Sequence, residues 1–205
     1  MSYKWLGWAK QIQAISQSGL AYSKDVYDIE RFEELRKLSA EIVTEFSNKN
    51  LEEVSRIFIS EEGYQTPKVD IRAVVFKGNK ILMVKEKSDN GWTLPGGWAD
   101  IGLSPSENAV KEVEEESGYI VKPKRLLGVL DRNKHGHTPN IYDIYKIFIE
   151  CELVGGEPMT SIETSDVGFF LKESIPPLSV GRITEEQIRK LFEYKDKQQI
   201  EVMFD

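Results

Sequence analysis

The segment Leu94-Pro95-Gly96-Gly97, the loop after it and the run Ser104–Gly118 constrain this chain more than any other stretch. Ser104 is a good helix N-cap, Pro105 suits the first helical position, and Glu107 completes a capping box. Gly118 suits the left-handed residue that ends a helix. The punctuation predicts a helix over 105–117. Within it Glu112, Glu115 and Glu116 fall on one face, inside an arc of about 100°. They lie in the last turns, where the helix dipole favours cations, so their mutual repulsion costs stability. A hard divalent cation reverses that sign, because magnesium or manganese wants several oxygen ligands. A carbonyl at the Gly96-Gly97 turn can add one more. Glu-rich faces are more often merely solvated, and Glu114 reads that way. The turn, the capped helix, the spaced carboxylates and the terminal Gly together favour metal binding over that plainer account.

The rest of the chain of 205 residues supplies the setting. Residues 1–63 contain no proline, and their apolar residues recur at helical spacing. Trp5, Trp8, Ile12 and Ile15 suggest one helix. Phe32, Leu35, Leu38, Ile42 and Phe46 suggest a second, with Asp28 as its N-cap. Leu51, Val54, Ile57 and Phe58 suggest a third. Glu61 to Pro67 reads as a linker. Strands are expected over 69–76 and 81–84 around a Gly78-Asn79 turn, then over 125–130, 141–152 and 167–171, with a turn at Gly155-Gly156. Thr184 and Gln187 open a closing helix through Phe192. The expected architecture is α+β: a small helical domain (1–63) followed by a mixed α/β domain (64–205).

A net charge of -7 argues against a generic electrostatic nucleic-acid binder. Cys151 is the one cysteine, which excludes intrachain disulfides and a cysteine-based zinc site and fits a reducing, cytoplasmic setting. No run is apolar enough for a membrane helix, and the first residues lack the pattern of a signal peptide.

From Gly97 to Gly118 the chain reads GWADIGLSPSENAVKEVEEESG. It resembles the signature of the Nudix hydrolases: Gly, five residues, Glu, seven residues, then Arg-Glu-aliphatic-x-Glu-Glu-x-Gly. Gly97, Glu112, Val113, Glu115, Glu116 and Gly118 match. Leu103 stands where the family has Glu, and Lys111 where it has Arg. Those two family residues brace the loop on the helix, and Lys lacks the guanidinium fork. The likeness extends along the whole chain, to Nudix hydrolases whose N-terminal domain is named for X-linked nucleoside diphosphates. Within that group it is similar to the CDP-choline pyrophosphatases of Gram-positive bacilli. The resemblance implies an α/β/α sandwich with a mixed sheet, Mg2+ or Mn2+, and a homodimer. It implies hydrolysis of CDP-choline to CMP and phosphocholine. ADP-ribose hydrolysis, RNA 3'-end trimming and a non-catalytic nucleotide sensor are the alternatives.

On that resemblance Gly96, Glu112, Glu115 and Glu116 are the expected metal ligands. Glu112, Glu116 and the later loop acid Glu163 are the expected catalytic residues, with Glu163 preferred over Asp166. The strand-end cluster Arg132, Lys134, His135 and His137 is expected to contact substrate. Arg72 interrupts an apolar strand and needs an anion, which a substrate phosphate would supply. Trp92 and Trp98 flank the Gly-Gly turn and could stack on a base, although packing is the commoner use of such residues.

Overall fold

The computed structural model describes residues 3–59, 63–195, 197 and 201–205. The chain divides into two compact units, Met1–Pro67 with Pro139–Tyr142, and Lys68–Thr138 with Asp143–Asp205.

The first unit holds α1 (Lys4–Tyr22), α2 (Val26–Glu45) and α3 (Leu51–Ile59). The cap of α2 is Asp25, not Asp28. The Asp25 carboxylate accepts from the amides of Tyr27 and Asp28, while Asp28 sits inside the first turn and pairs with Arg31 at 2.6 Å. The helical period is as expected, but the buried face is not. On α1 the buried residues are Ala9, Gln13, Ser16 and Gln17, and on α2 they are Ser39, Ala40 and Val43. Small and hydrogen-bonded side chains let the helices approach closely. The Ser39 hydroxyl donates to Ala9 O at 2.7 Å, and a Cβ on Gly19 would stand 2.5 Å from the Phe32 ring. The core is Ala9, Ala40, Val43, Val54 and Phe58, with Ile141 packed against it. Trp8, Ile15 and Tyr22, seven residues apart on α1, stay 61%, 59% and 69% exposed, so this stripe is not core. Trp5 is half-buried with its ring 5.4 Å from that of Phe46. The expected linker begins at Glu61 and Glu62, outside the described residues.

The second unit is built on β1 (Lys68–Lys77), β2 (Lys80–Glu86), β3 (Trp92–Thr93), α4 (Pro105–Ser117), β4 (Tyr119–Asp131), β5 (Ile144–Gly156), β6 (Thr164–Leu171), α5 (Glu185–Tyr194) and β7 (Met203–Phe204). The strand order is β3-β2-β1-β5-β4-β7, with β6 also paired to β2. β1 runs parallel to β5 and turns back into antiparallel β2, whereas β4 is antiparallel to β5. Alternation sends Ile71, Ala73, Val75 and Ile149 to one face, where Ala109 and Val113 of α4 cover them. Val74, Phe148, Leu127 and Leu130 face the other way and meet Ile188 and Leu191 of α5. The result is a mixed sheet between helices, each buried Val, Leu, Ile or Phe side chain contributing roughly 1.5–3 kcal/mol. Among the described residues no helix is long and apolar enough to cross a membrane.

Several strand ends differ from expectation, and β6 begins at Thr164 rather than Val167. β4 starts at Tyr119 rather than Arg125, because Pro123 sits at a register shift where no ladder hydrogen bond is needed. β5 starts at Ile144 rather than Ile141, because Ile141 is drawn into the helical core. Gly155 and Gly156 do not turn; they continue β5 opposite Ile120 and Tyr119. The helix α4, by contrast, has the expected bounds. The Ser104 hydroxyl accepts from Glu107 N at 3.3 Å, and the Glu107 carboxylate accepts from Ser104 N at 2.8 Å. Ser104→Ala is expected to lower stability by about 1 kcal/mol in urea denaturation of the full chain; an unchanged midpoint would show that the cap carries no net stability.

Candidate active site

The Gly-Gly segment lies antiparallel against β1. Ala73 N donates to Pro95 O at 2.9 Å, Ile71 N to Gly97 O at 2.8 Å, and Ala99 N to Val69 O at 2.9 Å. The Gly96 carbonyl stands outside this ladder, and no donor among the described residues reaches it. Gly96 has φ +139°, and a Cβ there would stand 2.0 Å from Ile71 O, so only glycine fits.

The Gly96 amide donates to Glu116 Oε2 at 2.8 Å. Burial pushes the Glu116 carboxyl up to about 8; Arg72 and the Gly96 amide oppose the shift, while Glu112 and Glu86 add to it. Burial also raises Glu112, whose Oε1 comes within 3.5 Å of where a Gly97 Cβ would be. Glu86, buried and likewise raised by burial, pairs with Arg182 at 3.0 Å. Glu86, Glu112 and Glu116 thus share one poorly solvated region beside an unbonded carbonyl. Hard oxygen donors that repel each other are the set a divalent cation suits. Glu115 is turned out of this group. It is exposed and accepts from Lys111 at 2.8 Å. Lys111 also reaches Asp100 of the loop at 3.1 Å, an exposed contact. Among the described residues no three His, Cys, Asp or Glu side chains stand as a ready cage for an ion.

The other face of β1 and β5 carries a buried charge cluster. Arg72 faces inward as expected, but its anion is Asp70. Nε donates to Asp70 Oδ1 at 2.8 Å and Nη2 to Oδ2 at 3.0 Å, while Nη1 donates to Leu94 O at 3.0 Å. Lys146, opposite Asp70 in the strand register and fully buried, brings Nζ to 3.0 Å from Asp70 Oδ1. Burial pushes Lys146 down to about 7 against the opposing pull of Asp70.

The cluster after β4 splits. Arg132 is buried, its Nε and Nη2 donating to Gly181 O at 3.2 and 3.1 Å. The His137 ring is turned to Val180 O at 2.8 Å. Lys134 is exposed, and His135 Nε2 meets Asp205 Oδ1 at 2.7 Å instead. Glu163 is exposed just before β6, within the field of Glu86. Trp92 packs on Phe170 at 4.7 Å between ring centres, and Trp98 stays half-exposed.

Residues 66–191 match the NUDIX domain, and residues 3–58 match a domain described as a UDP-X-like, N-terminal oligomerisation domain. The chain belongs to the Nudix family. It is 51% identical over 202 residues to Bacillus subtilis YjhB, provisionally named an ADP-ribose pyrophosphatase, covering 98% of this chain and 97% of that one. A solved UDP-X diphosphatase is 34% identical with a TM-score of 0.64, covering 98% of each chain. A solved Streptococcus suis ADP-ribose pyrophosphatase is 42% identical with a TM-score of 0.63, covering 68% of this chain and all of that one.

As a Nudix hydrolase the chain departs from the signature at Leu103 and Lys111, and the structure supplies other braces. Buried Asn108 accepts from Asp100 N at 2.8 Å and donates to Leu103 O at 3.2 Å and Ser104 O at 3.0 Å. Asp100, Asn108, Asp70, Glu86 and Lys146 were not expected at the site. Asp70 and Lys146 had a partial signal, charged residues at face-matching positions of apolar strands; Asp100 had none. Gly96→Ala is expected to cost about 3 kcal/mol and to abolish turnover, because the added methyl meets backbone rather than a movable side chain. Thermal melting and an activity assay check it; a stable, active variant would mean that the loop is not tied to β1 as described.

Proposed function

We propose that this chain hydrolyses the pyrophosphate bond of a nucleoside diphosphate linked to a second group, with a divalent cation held by Glu112, Glu116 and the Gly96 carbonyl. The observation that carries this is a buried carboxyl, Glu116, and a half-buried one, Glu112, both raised by burial, beside an unbonded backbone oxygen. Magnesium commonly takes one or two carboxylates and completes its shell with water and substrate phosphate oxygens, which suits a site lacking a closed cage. The bound cation supplies charge neutralisation and a lowered pKa for water. Water attacks one phosphorus, the anhydride P–O bond on the far side breaks, and its electron pair leaves on the departing oxygen. Glu163, whose carboxylate makes no ion pair among the described residues, takes the water's proton. Glu115 holds Lys111 and joins the cation only by releasing it.

For the linked group, the names of the relatives support ADP-ribose. CDP-choline, the expectation from sequence, draws support from half-exposed Trp98, an aromatic of the kind a quaternary ammonium seeks. A panel of CDP-choline, ADP-ribose, other nucleotide sugars and a short RNA, with magnesium or manganese, separates these readings by product. Glu116→Gln is expected to cut turnover at least a hundredfold on the best substrate. Because Glu116 must give up a proton below about 8, manganese affinity should climb with pH up to that point and then level, a dependence Glu116→Gln should lack. Calorimetric titration at several pH values would overturn the ligand set if wild type and variant followed one curve.

The exposed stripe Trp8, Ile15 and Tyr22 supports a homodimer through the helical unit, since a seven-residue apolar repeat is what one helix offers another. Trp8→Asp with Ile15→Asp is expected to yield monomers by sedimentation while leaving the helix content intact. A variant that still sediments as a dimer would rule out this stripe as the contact. The single buried thiol of Cys151 fits a cytoplasmic setting.

A further inference from the structure

We infer that His137, with Arg132 and Lys146, forms a subsite that reads the hydrogen-bonding edge of the substrate's nucleobase rather than its phosphates. The inference deepens the nucleotide reading above and rests on it.

The argument starts from the His137 tautomer. Nδ1 lies 2.8 Å from Val180 O, and a carbonyl only accepts, so Nδ1 carries the proton. Burial pushes the imidazole down to about 4; the Val180 contact opposes the shift, and the charges of Lys146 and Arg132 add to it. The ring is neutral, and Nε2 presents a lone pair. That atom is buried and has no hydrogen-bond partner. A buried acceptor left unpaired costs about 1–3 kcal/mol, so the site is built for a donor.

The neighbours offer the complement. Lys146 is fully buried, and its Nζ, though 3.0 Å from Asp70 Oδ1, has no aligned acceptor. Arg132 uses Nε and Nη2 on Gly181 O and Thr138 Oγ1, and its Nη1 makes no bond among the described residues. Arg132 and His137 bond the consecutive carbonyls of Gly181 and Val180, which sets a donor beside the one acceptor. A fully ionised phosphate carries only acceptors and would meet the Nε2 lone pair. A base edge carries both kinds of group, an N–H next to a ring nitrogen or carbonyl. Sites that hydrogen-bond a substrate N–H reject analogues lacking it.

The test is binding without turnover, in chelator, by calorimetry on the full chain. The probes are CMP, UMP and AMP, each beside a counterpart whose base N–H groups are replaced by N-methyl, with ribose phosphate and pyrophosphate as controls. For at least one base, methylation is expected to weaken wild-type binding about tenfold. His137→Phe should lose that difference, and His137→Gln, which keeps an acceptor, should retain part of it. The controls should bind all three proteins alike. Indifference of wild type to methylation would overturn the subsite. So would an unchanged methylation effect in His137→Phe, or an equal loss of pyrophosphate binding in that variant. Should the variants fail to melt cooperatively, the wild-type methylation series alone decides, in the same directions. A protein that shows these differences but hydrolyses nothing in the panel would leave the subsite standing and remove the hydrolytic reading instead.

Discussion

Asp70 lies two residues before Arg72 on one face of β1 and directly across from Lys146 on β5, so a single buried carboxylate serves two buried cations. Burial alone would raise the Asp70 pKa; Arg72 and Lys146 outweigh it and bring it below the ordinary carboxylate range. Removing one partner from such a group is far more costly than the group's net contribution, because it strands a charge away from water. The arrangement also fixes where Arg72 can be. Held by Asp70 on one side, its guanidinium lies in the field of Glu116 and Glu86 on the other. It lowers the repulsion between those carboxylates without cancelling it. Burial depresses both Lys146 and His137, and neighbouring cations add to it: Arg72 and Arg132 for Lys146, Lys146 and Arg132 for His137.

The carboxylate face is held by backbone more than by side-chain charge. Exposed pairs such as Lys111 with Glu115 and Asp100 contribute about 0–1 kcal/mol at most. They cannot be what locks the loop. The three-rung ladder to β1 and the buried Asn108 amide do that. Replacement of the signature Glu by Leu103 and of its Arg by Lys111 is therefore compatible with a well-placed Glu116. The Gly96 amide that holds its carboxylate comes from the same ladder.

What could be read from sequence was local. The bounds of α4 were legible because Ser104, Pro105, Glu107 and Gly118 each act within four residues of the helix end they mark. The strands β1 and β2 were legible from β-branched, apolar runs on either side of a Gly-Asn turn. Choices between equivalent local signals went astray: Asp25 and Asp28 are both caps by type, and only the chain's path selects Asp25. Helix faces failed for a different reason. Helical spacing of the apolar residues marks α1 but not its buried face: Ala9, Ser16 and Gln17 face inward because small and hydrogen-bonded residues permit close helix approach. At the site, the motif carboxylates could be named in advance. The partnership of Lys146 with Asp70 could not, because it depends on the register between strands separated by most of the domain.

The helical unit is not contiguous in sequence. Pro139–Tyr142 clusters with α1, α2 and α3, Ile141 packs on their core, and Lys10 donates to Tyr142 O at 3.0 Å. During synthesis these helices emerge before the sheet but lack part of their core until β1 through β4 have followed. The ribosome thus releases the N-terminal unit in an unfinished state whose apolar surface is covered only after much of the sheet sequence has appeared. A cut placed at the apparent boundary would leave the helical fragment permanently in that state, short of the residues that close it.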